Sequence, residues 1–147
     1  MTAPPSTPNL NREQLSHFRH ELLTQINHII GLTEILIDEA PETGLLDFVP
    51  AFEEISAGGR SLLAIIQREL APAGVCDFNR LEGCIESEAG PTLGRSRGLI
   101  QQLQALGRAS EAEEMQLVSS ALEQLASLAH GVVHGHNSAE SVEQIRK

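Results

Sequence analysis

The chain has 147 residues, a length that fits one domain with one hydrophobic core. Aromatic residues make up 3% of it, Trp and Tyr are absent, and Leu, Ile, Ala, Glu and Gln are frequent. That usage is typical of helices packed by aliphatic side chains, so we expect an all-α protein. The formal net charge is -10 without a cluster of basic residues, which argues against a nucleic-acid partner.

No apolar run approaches the ~20 residues that cross a bilayer, so we expect no membrane insertion. The first residues lack the basic start and apolar stretch of a signal peptide, which predicts a cytoplasmic protein. Cys76 and Cys84 match neither a zinc-site pattern nor a disulfide framework, and reduced thiols are expected.

The first predicted element follows a flexible segment, residues 1–12, that is rich in proline and small polar residues. From there apolar residues recur at steps of three and four, which predicts one helix over 14–40. Pro41 should end it near Ala40, and Thr43-Gly44 supplies turn chemistry. The stripe consists of Leu15, Phe18, Leu22, Ile26, Ile29, Ile30, Thr33, Leu36 and Ile37.

A second stripe runs from Leu45 to Leu70, with Pro50 in the first turn, and completes a helical hairpin over 13–71. Pro72 and Gly74 end this hairpin. Residues 72–91 mix Gly, Pro, Cys and acidic residues, and we expect a connector with one short helix around 78–85.

Two further stripes predict a second hairpin over 92–135, with Gly107 at its turn and Ser110 as a helix cap, followed by a tail over 136–147. Four amphipathic helices in succession predict helical hairpins that form a four-helix bundle, within one chain or by dimerisation.

The residues with the clearest chemical meaning lie in FRHELLTQINHIIGLTEIL, residues 18–36. This segment resembles the first helix of the histidine-kinase dimerisation and phosphoacceptor domain, whose pattern is His-Glu-Leu-Arg-Thr-Pro-Leu-Asn and then an apolar Ile-Gly segment. Residues 56–66 resemble its second helix, so the resemblance covers about 14–70. The matching residues are His20, Glu21, Leu22, Thr24, Asn27, Ile29, Ile30, Gly31, Glu34 and Leu36.

The resemblance implies that His20 accepts a phosphoryl group, that Glu21 is the base, and that Thr24 orients water for receiver dephosphorylation. Helical spacing places Asn27 on the face of His20 and Thr24, away from the apolar stripe, so we expect His20 to face solvent. An ordinary histidine, with a pKa of ~6.5, is largely neutral and nucleophilic at cellular pH.

Two positions depart from the family pattern. Leu23 replaces its arginine, which removes a positive group near the incoming phosphate, and Gln25 replaces its proline, which should leave the helix straighter. These changes allow three interpretations: the partner specificity is altered, His20 is no longer phosphorylated, or His20 is a surface histidine with no role in phosphotransfer.

The expected partners are a receiver domain of a response regulator or a separate histidine kinase, because the boxes with which the family binds ATP are absent after residue 70. We expect no kinase activity and no cofactor. The resembling domain builds its bundle from two chains, which favours a homodimer. The competing functions are a degenerate dimerisation or interaction module that regulates a kinase or an output enzyme, and a helical adaptor unrelated to phosphate.

A weak internal similarity pairs residues 55–66 with 118–129 and residues 19–31 with 95–107. If it marks a duplication, Ser96 takes the place of His20 and the second copy accepts no phosphate. The alternative is that any two amphipathic helices align this well.

The remaining histidines give weaker indications. His130, His134 and His136 place two imidazoles one turn apart, but no carboxylate or Cys accompanies them at a suitable spacing, and we predict no metal. His17 and His28 should be plain polar residues on the flanks of the first helix.

Overall fold

The computed structural model describes residues 12–70 and 77–134, and within these ranges the chain is helical with no strand. Helix α1 spans Arg12–Thr43, a 3₁₀ turn spans Leu46–Phe48, α2 spans Val49–Glu69, α3 spans Phe78–Ala105 and α4 spans Ala109–Val133. The predicted all-α fold is confirmed. The predicted tail 136–147 and all but Arg12 of the flexible segment 1–12 lie outside the described residues.

The four helices pack as a bundle in which each contacts its two neighbours, in the order α1, α2, α3, α4 and back to α1. One chain therefore supplies all four helices. The apolar stripes of the helices meet in one core, and its largest fully buried side chains are Phe52, Leu22, Ile26, Ile29, Leu36, Leu45, Ile55, Leu62, Ile66, Leu81, Ile85 and Leu103.

Helix α1 continues past Pro41, which corrects the predicted end near Ala40. A proline in the last turn removes one backbone hydrogen bond but keeps a φ that suits a helix. The end is set instead by Gly44, whose φ of 77° lets the amide of Leu45 donate to the carbonyl of Ala40 at 3.0 Å. This is the 6→1 hydrogen bond of a Schellman cap, and the predicted turn at Thr43-Gly44 is confirmed.

Helix α3 differs most from the expectation, because residues 78–91 of the predicted connector belong to one continuous helix. Its start is capped by Asp77, whose carboxylate accepts from the amide of Arg80 at 3.1 Å. The buried stripe includes small and hydroxyl-bearing residues, which weaken the periodic signal. It consists of Phe78, Leu81, Ile85, Ala89, Thr92, Ser96, Leu99 and Leu103. Residues 72–76 lie outside the described residues.

The two hairpins repeat each other at a spacing of 63 residues. Fifteen of the seventeen buried positions between 18 and 70 are again buried 63 residues later. The turns repeat too, because Gly107 has a φ of 73° and the amide of Arg108 donates to the carbonyl of Leu103 at 2.8 Å. The predicted pairing of 55–66 with 118–129 has this spacing, and all twelve positions agree in burial.

The predicted pairing of 19–31 with 95–107 is wrong, because its spacing of 76 residues places buried positions against exposed ones. Ser96 is fully buried and hydrogen-bonds Ser119 at 2.6 Å, whereas His20 is exposed. At the spacing of 63, Ser96 corresponds to the buried Thr33, and Gly83 corresponds to His20. The second hairpin thus has no histidine at the equivalent of His20.

Candidate functional site

His20 lies in the third turn of α1 with an exposed side chain, as predicted. Thr24 and Asn27 are also exposed, and their spacing places all three on the face opposite the buried stripe that contains Leu22 and Ile26. A domain that docks on this face can reach the imidazole without disturbing the core.

Thr24 contacts His20 through the backbone. The Thr24 hydroxyl donates to the carbonyl oxygen of His20 at 2.9 Å, a bond from residue i to i−4 that threonine often makes in helices. Its proton is therefore occupied, while its oxygen can still accept a hydrogen bond from water.

Glu21 points away from His20, because adjacent helical residues lie about 100° apart around the axis. Its Oε1 lies 3.5 Å from Nε2 of His17, one turn earlier. Both line a cleft of about 290 Å³ between α1 and α4, together with Gln14, Phe18, Ser127, Leu128, Gly131 and Val132. The carboxylate that the resemblance assigns to His20 is thus paired with a histidine predicted to be a plain polar residue.

Arg19 was not identified from the sequence as a candidate, yet it directly precedes His20. Its side chain is half-buried, and its Nε has no hydrogen-bond partner within the part of the chain that the structure describes. Leu23, at the position of the family's arginine, is half-buried and packs against the core. Arg19 is thus the basic residue adjacent to His20 in sequence, and like Glu21 it lies about 100° from His20 around the helix axis.

A second cluster of histidines lies where α3 begins and α4 ends. Nδ1 of His130 lies 2.8 Å from Oε2 of Glu82, and the rings of His130 and His134 are 4.3 Å apart. One nitrogen or oxygen from each of the three residues lies within 4.8 Å of the other two. The carboxylate thought to be missing beside these histidines is present, because residue 82 belongs to α3 and not to a connector. His136 lies outside the described residues.

Cys84 is a half-buried free thiol in a cleft between α2 and α3 that Arg68 and Arg80 also line. Cys76, the other cysteine, lies outside the described residues. The described residues that line this cleft include no second cysteine with which Cys84 could form a disulfide.

Comparisons of the chain with protein-family models, with curated proteins and with solved structures find no match. Among the described helices, none is long and apolar enough to cross a membrane.

Proposed function

We propose that this chain is a cytoplasmic phosphotransfer domain of two-component signalling, in which His20 takes a phosphoryl group from a receiver aspartate or a partner histidine kinase and passes it on. One observation carries the proposal: His20 is exposed on the polar face of α1, opposite the core. The resemblance of residues 14–70 to the phosphoacceptor domain of histidine kinases points to the same residue.

In the forward step a neutral ring nitrogen of His20 attacks the phosphorus of an aspartyl phosphate. A nitrogen–phosphorus bond forms, and the bond to the aspartate oxygen breaks with its electron pair leaving on the carboxylate. The other ring nitrogen gives up its proton, for which Glu21 is the proposed base. The proposed partner of the phosphoryl oxygens is Arg19, whose side chain must turn toward the ring, since a guanidinium donates several hydrogen bonds to an oxyanion.

The test is phosphorylation of the full chain. The phosphodonors are phosphoramidate and receiver domains charged with radiolabelled acetyl phosphate. We expect an acid-labile, base-stable label that is lost in His20→Gln and kept in His28→Gln, which removes another exposed histidine of α1. An unlabelled wild-type chain, or a label that persists in His20→Gln, would exclude the proposal.

A folding control belongs to this experiment. His20→Gln should change the free energy of unfolding by no more than ~0.5 kcal/mol, because exposed positions without partners contribute little. A large loss would mean that the absent label reflects unfolding, and the label would then be mapped by peptide analysis of the wild-type chain.

An interaction module is the second candidate, favoured by large apolar side chains on the surface. Leu46 and Leu106 are 59% and 60% exposed, and both adjoin the equivalent hairpin turns at one end of the bundle. Such a module would regulate a kinase or an output enzyme by helix packing, and the predicted homodimer would use this end. Sedimentation should then show a dimer that Leu46→Ser together with Leu106→Ser dissociates.

A further inference from the structure

The cluster at the open end of the second hairpin combines three side chains that are ordinary metal ligands. His130 and His134 lie one turn apart on α4, so both imidazoles project from one side of that helix. Glu82 comes from the neighbouring helix α3 and contacts His130 at 2.8 Å. Two imidazoles and one carboxylate are a ligand set that zinc uses when a fourth position is left to water.

The carboxylate of Glu82 is the buried member of the cluster. Its side chain is 16% exposed, whereas that of His130 is 61% exposed. Within the described residues, His130 is its one ion-pair partner, so the nearby Arg80, which pairs with Glu69, does not neutralise it. A half-buried carboxylate facing two accessible imidazoles suits a divalent cation that enters from solvent.

The distances require only side-chain motion. Candidate ligand atoms within 4.8 Å of one another must close to about 3.4 Å around a tetrahedral zinc with bonds of ~2.0–2.1 Å. Rotation of the exposed His134 and His130 rings supplies that change, because α3 and α4 already pack along their length.

The repeat provides an internal comparison. At the spacing of 63 residues, Arg19 corresponds to Glu82 and Gln67 corresponds to His130. The equivalent place in the first hairpin therefore offers a cation and an amide, which do not form a metal site. Any ion bound at the second hairpin must depend on side chains that the shared fold does not require.

We propose that Glu82, His130 and His134 bind one divalent transition-metal ion of the zinc type and so join the start of α3 to the end of α4. Imidazole nitrogens favour such ions over magnesium, which prefers oxygen ligands. The inference does not depend on phosphorylation of His20, because no residue is shared between the two sites.

The test is titration of the full, untagged chain with zinc chloride by calorimetry. We expect one ion per chain, no binding of magnesium under the same conditions, and affinity at least ~10-fold weaker in each of Glu82→Gln, His130→Gln and His134→Gln, since even outer partners of metal ligands are worth that much. His28→Gln and His20→Gln should bind as the wild type does.

Two further readouts fix the location. At the same zinc concentration, zinc should raise the melting temperature of the wild type by more than that of Glu82→Gln, because an ion that binds only the folded chain shifts the folding equilibrium according to its affinity. X-ray absorption of the loaded chain should show two imidazole nitrogens at ~2.0–2.1 Å. Unchanged affinity in Glu82→Gln would assign the ion to residues 130–136 alone and overturn the proposal, as would no binding by the wild type.

Discussion

The pairing of Glu21 with His17 decides how the proposed base can act. The Glu21 carboxylate contacts His17, which lies about one turn before His20. To take a proton from the phosphorylated ring, it must leave His17 or relay the proton through water. We expect Glu21→Gln to slow phosphoryl transfer to His20 by ~10²-fold to 10⁴-fold, the usual contribution of a positioned base, with receiver binding intact. Single-turnover rates and calorimetric affinities for the same receiver measure the two effects separately.

Thr24→Ala is the matched comparison. It should spare transfer and reduce only dephosphorylation of the receiver, because the Thr24 hydroxyl bonds the His20 carbonyl and leaves the ring free. If both variants lose transfer equally, the substitutions disturb docking and Glu21 is not the base. His17→Gln then shows whether freeing the carboxylate alters the rate.

At the scale of single residues, the sequence predicted which side of a helix a side chain lies on, but not which residue it contacts. Helical spacing alone placed His20, Thr24 and Asn27 on one exposed face, since 3.6 residues per turn fixes directions within a helix. It could not predict that Glu21 pairs with His17, because rotamers choose among neighbours. Glu82 lies 48 residues from His130, and only tertiary packing brings them together.

Among the elements, α2 packs tightly against its neighbours at two adjacent glycines. A Cβ on Gly58 would lie 2.4 Å from Oγ1 of Thr92 in α3, and one on Gly59 would lie 2.9 Å from Cγ1 of Ile30 in α1. We expect Gly58→Ala to destabilise the fold by ~1–3 kcal/mol through overpacking, although alanine is the better helix former. Urea unfolding measures the change.

Gly94 supplies the control, because a Cβ there meets nothing within 4 Å. Gly94→Ala should stabilise the protein by up to ~1 kcal/mol, since it gains helix propensity without a clash. A Gly58→Ala variant as stable as Gly94→Ala would show that α2 and α3 separate at little cost.

Acidic residues meet where α4 begins and α1 ends. Burial, and then repulsion from Glu39 and Glu111, raises the pKa of Glu114 above its usual value. A raised pKa in the folded state means that stability present at acidic pH is lost as pH rises through that pKa. Glu114→Gln should therefore stabilise the fold at pH 7 and have no effect well below the ordinary glutamate pKa of ~4.3. Melting temperatures across this range check the sign, and a benefit that persists at acidic pH would contradict it.

Three helices and the second half of α3 were predictable from periodicity, but the continuation of α3 through residues 78–91 was not. Its segment contains Gly83, Gly90, Pro91, Gly94 and Gly98, which lower helix propensity. Packing overrides that preference, because the small buried residues of α3 allow α2 and α4 to pack closely against it. Pro91 lies on the exposed side of the helix. Such a compensation exists only in the assembled bundle.

The whole molecule has one core to which both hairpins contribute, so the halves should unfold together. Leu62 and its equivalent Leu125 are both fully buried. We expect Leu62→Ala and Leu125→Ala each to cost ~2–5 kcal/mol in one cooperative transition. This is tested by following helicity and hydrodynamic size during denaturation, and we expect the two curves to coincide. Two separate transitions would mean that the hairpins fold independently.

The repeat between the halves was only half visible in the sequence. Residues 55–66 and 118–129 were aligned correctly because identical residues stand at matching positions, as Ser56 does with Ser119 and Leu62 with Leu125. For α1 and α3, the similar residue types in 19–31 and 95–107 gave a wrong alignment. What the two helices share is the burial of each position, not the identity of the residues.

The two equivalent ion pairs show what a tandem arrangement permits. Glu34 of α1 pairs with Arg60 of α2, and 63 residues later Arg97 of α3 pairs with Glu123 of α4, with the signs exchanged. In a symmetric homodimer every substitution occurs twice, so neither half can change alone. Within one chain, each substitution occurs once. One half can therefore acquire or lose a histidine or a charge while the other half continues to support the shared architecture.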